Sequence, residues 1–278
     1  MEIDIPIIQG LMLKIENNAN SKGDFPTSRL QKGLLLVYDG QELAEEAVGF
    51  GVPVLKRGLE TIFAGSVELA SFCRGSVRQV TAVFTMNLEE RIARPGLGSM
   101  KNKSLYTIKN SLAALIRCSP LVRGLLTATS SGLRWLLGWE TIYEDTEFCT
   151  KITMIYSIHG ETGRVHVDAD TTGLHRGSVT EVVVMNEQGG RHFDQYLDSG
   201  GTSLRKSEIG CWDEVTAQEA SFISNTRRLA FTVEQVQGAR LFRGRELVGS
   251  RLAWSGFGYS FSPAAERFSY DVRITKVP

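Results

Sequence analysis

All four histidines of the chain, His159, His166, His175 and His192, fall between residues 159 and 192. The second lies in the run Arg164-Val165-His166-Val167-Asp168-Ala169-Asp170. In an extended strand alternate side chains share a face, so Val165, Val167 and Ala169 turn one way. Arg164, His166, Asp168 and Asp170 turn the other. A face with an imidazole, two carboxylates and a guanidinium could bind a metal or serve as an acid–base pair. The strand rise of about 3.3 Å per residue puts the Asp168 and Asp170 β-carbons roughly 7 Å apart, within the range used by paired carboxylates at glycosidic bonds. The same alternation also describes a solvated strand face, which is the blander and more general reading. No histidine pair has tight ligand spacing, so no metal site is expected, and no cofactor is implied.

A second group is aromatic. In Trp254-Ser255-Gly256-Phe257-Gly258-Tyr259-Ser260-Phe261, period two sets Phe257, Tyr259 and Phe261 on one face and Trp254, Gly256, Gly258 and Ser260 on the other. Glycines beside an indole leave room for a flat ligand such as a sugar ring, with Trp254 and Tyr259 as its contacts. Burial of the three aromatics with glycines at a close sheet approach is the competing reading, and the pattern favours it. A third group, Trp212-Asp213-Glu214, puts an indole beside two acids, an arrangement suited to a sugar site and equally common on surfaces.

These groups need strands to hold them, and most of the chain supplies strand patterning. Val77 to Leu88 alternates cleanly, and Asp39-Gly40 supplies the positive φ angles of a tight hairpin turn. From residue 150 onward, short apolar-alternating runs are separated by turns at 160–163, 187–190 and 199–202, with no β–α alternation. This predicts a mainly β fold, a large antiparallel sandwich of supersandwich type, in one domain spanning 1–278. A boundary near 140–150 is the alternative.

Residues 91–139 interrupt that pattern. They carry eight Lys or Arg and no Asp or Glu, which leaves 23 basic and 31 acidic residues elsewhere. Leu105, Ile108, Leu112, Leu115 and Ile116 fall on one helical stripe, and Ser119-Pro120 resembles a helix start. A short helical insertion over 100–139 is expected, covering a sheet face or docking a protein partner or anionic membrane. Opposite-charge packing between this stretch and the acidic remainder is the plainer expectation.

With 31 basic and 31 acidic residues overall, charge gives no reason to expect nucleic acid. The four cysteines lack a CxxC pair and are expected as buried free thiols in a reducing compartment. The acidic start, Met-Glu-Ile-Asp-Ile, and the lack of a long apolar run point to a cytoplasmic protein without a transmembrane segment. No GxxxxGK[ST], helix-opening GxGxxG, HExxH or GxSxG motif occurs, which removes support for nucleotide hydrolysis, Rossmann redox chemistry and serine hydrolysis. Two classes remain: carbohydrate binding or processing on a sheet face, and a non-catalytic assembly role through 91–139.

Overall fold

In a computed structural model the described residues are 2–8, 10–17, 26–94, 98–99, 140–248 and 252–277. The expected helical insertion at 100–139 therefore lies outside them. Four strands form a small sheet in chain order: β1 (Glu2–Pro6), β2 (Leu11–Glu16), β3 (Leu35–Tyr38) and β4 (Gln41–Glu42). After the Asp39-Gly40 turn, only Gln41 and Glu42 return as a strand. Beyond Glu42 the chain turns, with Glu45 in the left-handed region at φ 51°.

The remaining fifteen strands form one large sheet. Its first half in sequence holds β5 (Phe50–Arg57), β6 (Glu60–Arg74), β7 (Val77–Arg94), β8 (Gly98–Ser99), β9 (Glu140–His159), β10 (Arg164–Asp170) and β11 (Glu181–Gln188). Its second half holds β12 (Gln195–Asp198), β13 (Ser203–Arg205), β14 (Asp213–Val215), β15 (Glu219–Ser224), β16 (Leu229–Glu234), β17 (Ala239–Val248), β18 (Leu252–Phe261) and β19 (Arg267–Lys276). The lateral order is β13-β12-β15-β16-β19-β10-β9-β7-β6-β5-β11-β18-β17-β14, with β8 attached to β7. Every described pairing is antiparallel.

Strands far apart in that order meet face to face, so the sheet closes over itself into a sandwich. Phe50 of β5 packs edge-on against Phe231 of β16 at 5.3 Å, and Tyr259 of β18 lies 4.5 Å from Tyr270 of β19. Phe222 of β15 meets Phe257 of β18 at 4.9 Å. These rings are fully or nearly fully buried, each worth about 2–3 kcal/mol in apolar transfer. The small sheet closes the same core with Ile3, Ile5, Leu11, Leu13 and Ile15. The mainly β, antiparallel, sandwich-like expectation matches this architecture.

Polar groups inside the sandwich are spent on backbone. Where the β5–β11 register slips between Met185 and Asn186, the Asn186 side chain accepts from the Gly51 N–H at 3.1 Å and from the Tyr270 hydroxyl at 2.7 Å. The Tyr156 hydroxyl donates to the Gly51 carbonyl at 2.8 Å. Gly51 has φ 75°, and a β-carbon there would enter the Tyr156 ring, so both conformation and space require glycine.

Two expectations are corrected. The basic stretch does not begin off the sheet: Arg91 sits on β7, bonded to Glu89 at 2.7 Å and to Glu144 of β9 at 2.6 Å. Opposite-charge packing is present at that point. Cys73, Cys149 and Cys211 are exposed rather than buried. Cys149 is on an outward position of β9, and Cys211 is in a loop where its thiol donates to the Arg245 carbonyl at 3.2 Å. Cys73 is on the core-facing side of β6 but past the core near the hairpin turn, while Cys118 lies outside the described residues. Among the described residues no helix is long and apolar enough to cross a membrane.

Candidate functional site

Strand alternation delivers Val165, Val167 and Ala169 to the core at zero exposure and turns Arg164, His166 and Asp168 outward. Antiparallel register then aligns rows across the sheet. His166 stands beside Ser157 of β9 and Asp271 of β19, and Ser157 stands beside Gln79 of β7, which pairs with Phe72 of β6. The next row holds Val77, His159, Arg164 and Arg273. Val77, Gln79, Ser157, His159, Arg164 and His166 line an open depression of about 610 Å³.

Within it, His166 is held between two carboxylates. Its Nδ1 lies 2.9 Å from Asp271 Oδ1, and its Nε2 lies 3.4 Å from Asp168 Oδ1. Arg164 Nη2 donates to the other Asp271 oxygen at 2.6 Å. Burial works to raise the Asp271 carboxyl, but the hydrogen bonds from Arg164 and His166 outweigh it and hold the group below the usual carboxylate range. Asp271 is thus ionised and accepts a proton-bearing Nδ1, which leaves Nε2 as the atom turned toward Asp168. The pair is a fixed carboxylate–imidazole couple, able to donate to, accept from, or relay a proton to a hydroxylated ligand.

Asp170 is not part of this couple. Its Oδ1 accepts from the Thr172 backbone N–H at 2.9 Å and from the Thr172 hydroxyl at 2.6 Å, and these bonds lower its pKa, the hydroxyl first. It caps the turn that follows β10. Asp271, Ser157 and Gln79 were not singled out by sequence, and His159 was noted only as one of the four clustered histidines. The polar alternation Ser269, Asp271, Arg273 is visible there, but nothing local joins β19 to β10.

The aromatic group occupies the opposite side of the sandwich. Trp254 turns outward from β18, 8% exposed, and Trp212 stacks on it at 4.9 Å with 20° between the planes. Trp212 reaches this place from a left-handed backbone at φ 57° just before β14. The glycine recess is occupied by these two rings. A β-carbon at Gly244 would lie 2.7 Å from Trp254 Cη2, and one at Gly258 would lie 3.1 Å from Trp212 Cζ3. Tyr259 is fully buried and gives its hydroxyl to the Glu234 carbonyl, so it offers no surface to a ligand.

Asp213 and Glu214 separate from each other by strand alternation. Glu214 is bonded by Arg240 at 3.0 and 3.1 Å, which lowers its pKa. Asp213 lies 4.0 Å from Arg243, whose guanidinium covers the Tyr196 ring at 4.3 Å. The His166 and Trp254 groups cannot serve one ligand, because the core lies between them. On β11 is a group sequence reading missed: Glu187, 5% exposed, which accepts from the Val48 N–H at 3.4 Å and whose pKa burial pushes up to about 8. Among the described residues no cluster of three His, Cys, Asp or Glu could hold a metal ion.

No family model matches the sequence, and no curated protein matches it. Solved structures do. The chain resembles the α-N-acetylgalactosaminidase NagBb from Bifidobacterium bifidum in its GalNAc complex, with a TM-score of 0.51 and 12% identity. The same enzyme in its Gal-NHAc-DNJ complex gives 0.50 and 12%. In both, 99% of this chain is covered but only 36% of the enzyme chain, so the chain spans about a third of the solved chains it resembles. At that identity the likeness is one of fold, and its conclusion is architectural: this chain is a large antiparallel β-sandwich similar to one found within a carbohydrate-active enzyme.

Proposed function

We propose that the chain binds a carbohydrate on the outward face of β7, β9, β10 and β19, with His166 and Asp271 as its central polar contacts. The observation that carries this is the clamped imidazole at the floor of an open depression. Neutral hydrogen-bonding groups, Ser157 and Gln79, flank it, with Arg164 and His159 in the adjoining row. A polyhydroxylated ring offers donors and acceptors at the spacing of neighbouring strands, about 4.8 Å. Phe72, 52% exposed at the end of the same row, gives an apolar surface for a ring further along an extended ligand. The fold likeness to a glycosidase supports the reading by analogy alone.

The test is a thermal-shift and calorimetric screen against neutral sugars, amino sugars and sugar acids, since ligand binding to the folded state raises its melting temperature. A shift with one class is expected, lost in His166→Ala and Asp271→Asn and retained in Asp170→Asn and Trp254→Phe. Binding that survives His166→Ala, or silence toward every class, overturns the reading.

A further inference from the structure

β6 is paired on both sides only at Ile62. β5 accompanies it from Glu60 to Ile62, and after that only β7 does. The open side is then covered piecemeal: the Gln31 N–H donates to the Ala64 carbonyl at 3.1 Å, and the Gln31 amide donates to the Gly65 carbonyl at 3.2 Å. The Asn17 amide donates to the Val67 carbonyl at 2.8 Å. Past that point, among the described residues, nothing pairs with the edge.

Which groups lie open follows from the hairpin. Arg74 and Val77 close a two-residue turn, Gly75-Ser76, and so form the first hydrogen-bonded pair. Alternation then points the backbone groups of 72, 70 and 68 at β7 and those of Cys73, Ser71 and Leu69 away from it. The Asn17 bond to Val67, of the same parity, agrees. Between Glu68 and the turn, this edge carries Leu69-Ala70-Ser71-Phe72-Cys73, with neither a charge nor a proline. Those are the features by which edge strands avoid pairing with one another. Phe72 is 52% exposed, the most exposed large apolar side chain among the described residues.

We infer that this edge pairs with the same edge of a second copy, antiparallel and centred on Ser71. That register makes hydrogen-bonded pairs of Ser71 with Ser71 and of Leu69 with Cys73 on each side. It engages all three open residues of both copies in about six main-chain bonds. Phe72 of each copy then falls opposite Ala70 of the other, on the outward face. Glu68 falls opposite position 74, an arginine in the sequence, so the ends of the pairing are complementary in charge. Registers centred on Leu69 or Cys73 lose these matches, the first because Val67 is already taken by Asn17 and the second because the turn intervenes. The inference does not depend on the carbohydrate reading.

The experiment is light scattering across a concentration series under reducing conditions, with residue-resolved amide exchange. A rise from 30.7 kDa toward twice that mass is expected. It should come with concentration-dependent protection at Leu69, Ser71 and Cys73 but not at Ala70 and Phe72, which β7 already protects. Ser71→Pro removes an N–H that bonds nothing among the described residues of one copy, so it should leave the melt unchanged and the protein monomeric. Glu68→Lys should weaken the dimer about tenfold, and Glu68→Lys with Arg74→Glu should restore it. A monomer at high micromolar concentration, or a dimer that survives Ser71→Pro, overturns the inference.

Discussion

The two outward faces of this sandwich are built from the same period-two alternation yet finish in opposite chemical states. Around His166, the side chains are half-exposed, charged and linked in pairs above a floor of valine and alanine. Around Trp254, the recess left by Gly244 and Gly258 is filled by the chain's own indoles, and Glu187 is buried on the neighbouring strand β11. A glycine next to a tryptophan marks space near the backbone, not space for a ligand. What fills it is decided by residues far away in sequence. Here Trp212 arrives from a loop more than forty residues upstream.

This contrast predicts where the molecule is brittle. A β-carbon at Gly256 would sit on the Asn186 carbonyl oxygen and 2.7 Å from the Glu187 α-carbon, both backbone atoms that cannot step aside. Gly256→Ala should therefore cost about 3 kcal/mol or more, by forcing β11 and β18 apart where Gly256 pairs with Glu187. Denaturant unfolding measures it. A loss of under about 1 kcal/mol would mean that the Trp254 face is as yielding as the His166 face.

Glu187 sharpens the comparison through pH. Its burial, with the charge of Glu246 adding to it and the Val48 N–H at 3.4 Å opposing it, raises the carboxyl from 4.5 to about 8. Below pH 4.5 both folded and unfolded chains hold this proton, and burying the group carries no ionisation cost. As pH rises from 4.5 toward 8 the unfolded chain gives up its proton and the folded chain keeps it. That contribution to stability declines across the window and is fully lost once the folded group ionises. Glu187→Gln should remove the decline, gaining on the order of 2–4 kcal/mol over wild type above pH 8 and nothing near pH 4. Urea midpoints at several pH values test this, and parallel curves for the two proteins would show that Glu187 is not buried as an acid.

How much of this was readable in sequence depended on the range of the cause. The split of Arg164-Val165-His166-Val167-Asp168 into two faces is local, since it needs only strand periodicity, and the fold class follows from many such segments. Asp271 and His166 are joined by the pairing of β10 with β19, strands about a hundred residues apart, and no local pattern carries that register. Asp170 is polar on the right face but sits at the strand end, where Thr172 converts it into a turn cap. Residue type suggests burial for Cys73 and Cys149, but parity turns Cys149 outward on β9, and Cys73, although on the core-facing side of β6, lies where the strand runs past the core toward its turn.

The smallest effect is expected on the open face. Asp271 is 30% exposed, and its ion pair with Arg164 and its hydrogen bond with His166 lie where solvent screens them. Its folded-state pKa is depressed, so its contribution is present above the ordinary aspartate range near 3.8 and lost as pH falls through the lower folded value. Asp271→Asn should cost less than about 1 kcal/mol at pH 7, and this difference should fade on acidification below pH 4 and with added salt. A loss of about 3 kcal/mol or more at neutral pH would mean that Asp271 holds β10 to β19 as a structural ion pair. A near-silent effect on folding, together with loss of sugar binding in the same variant, would separate a residue kept for a ligand from one kept for the fold.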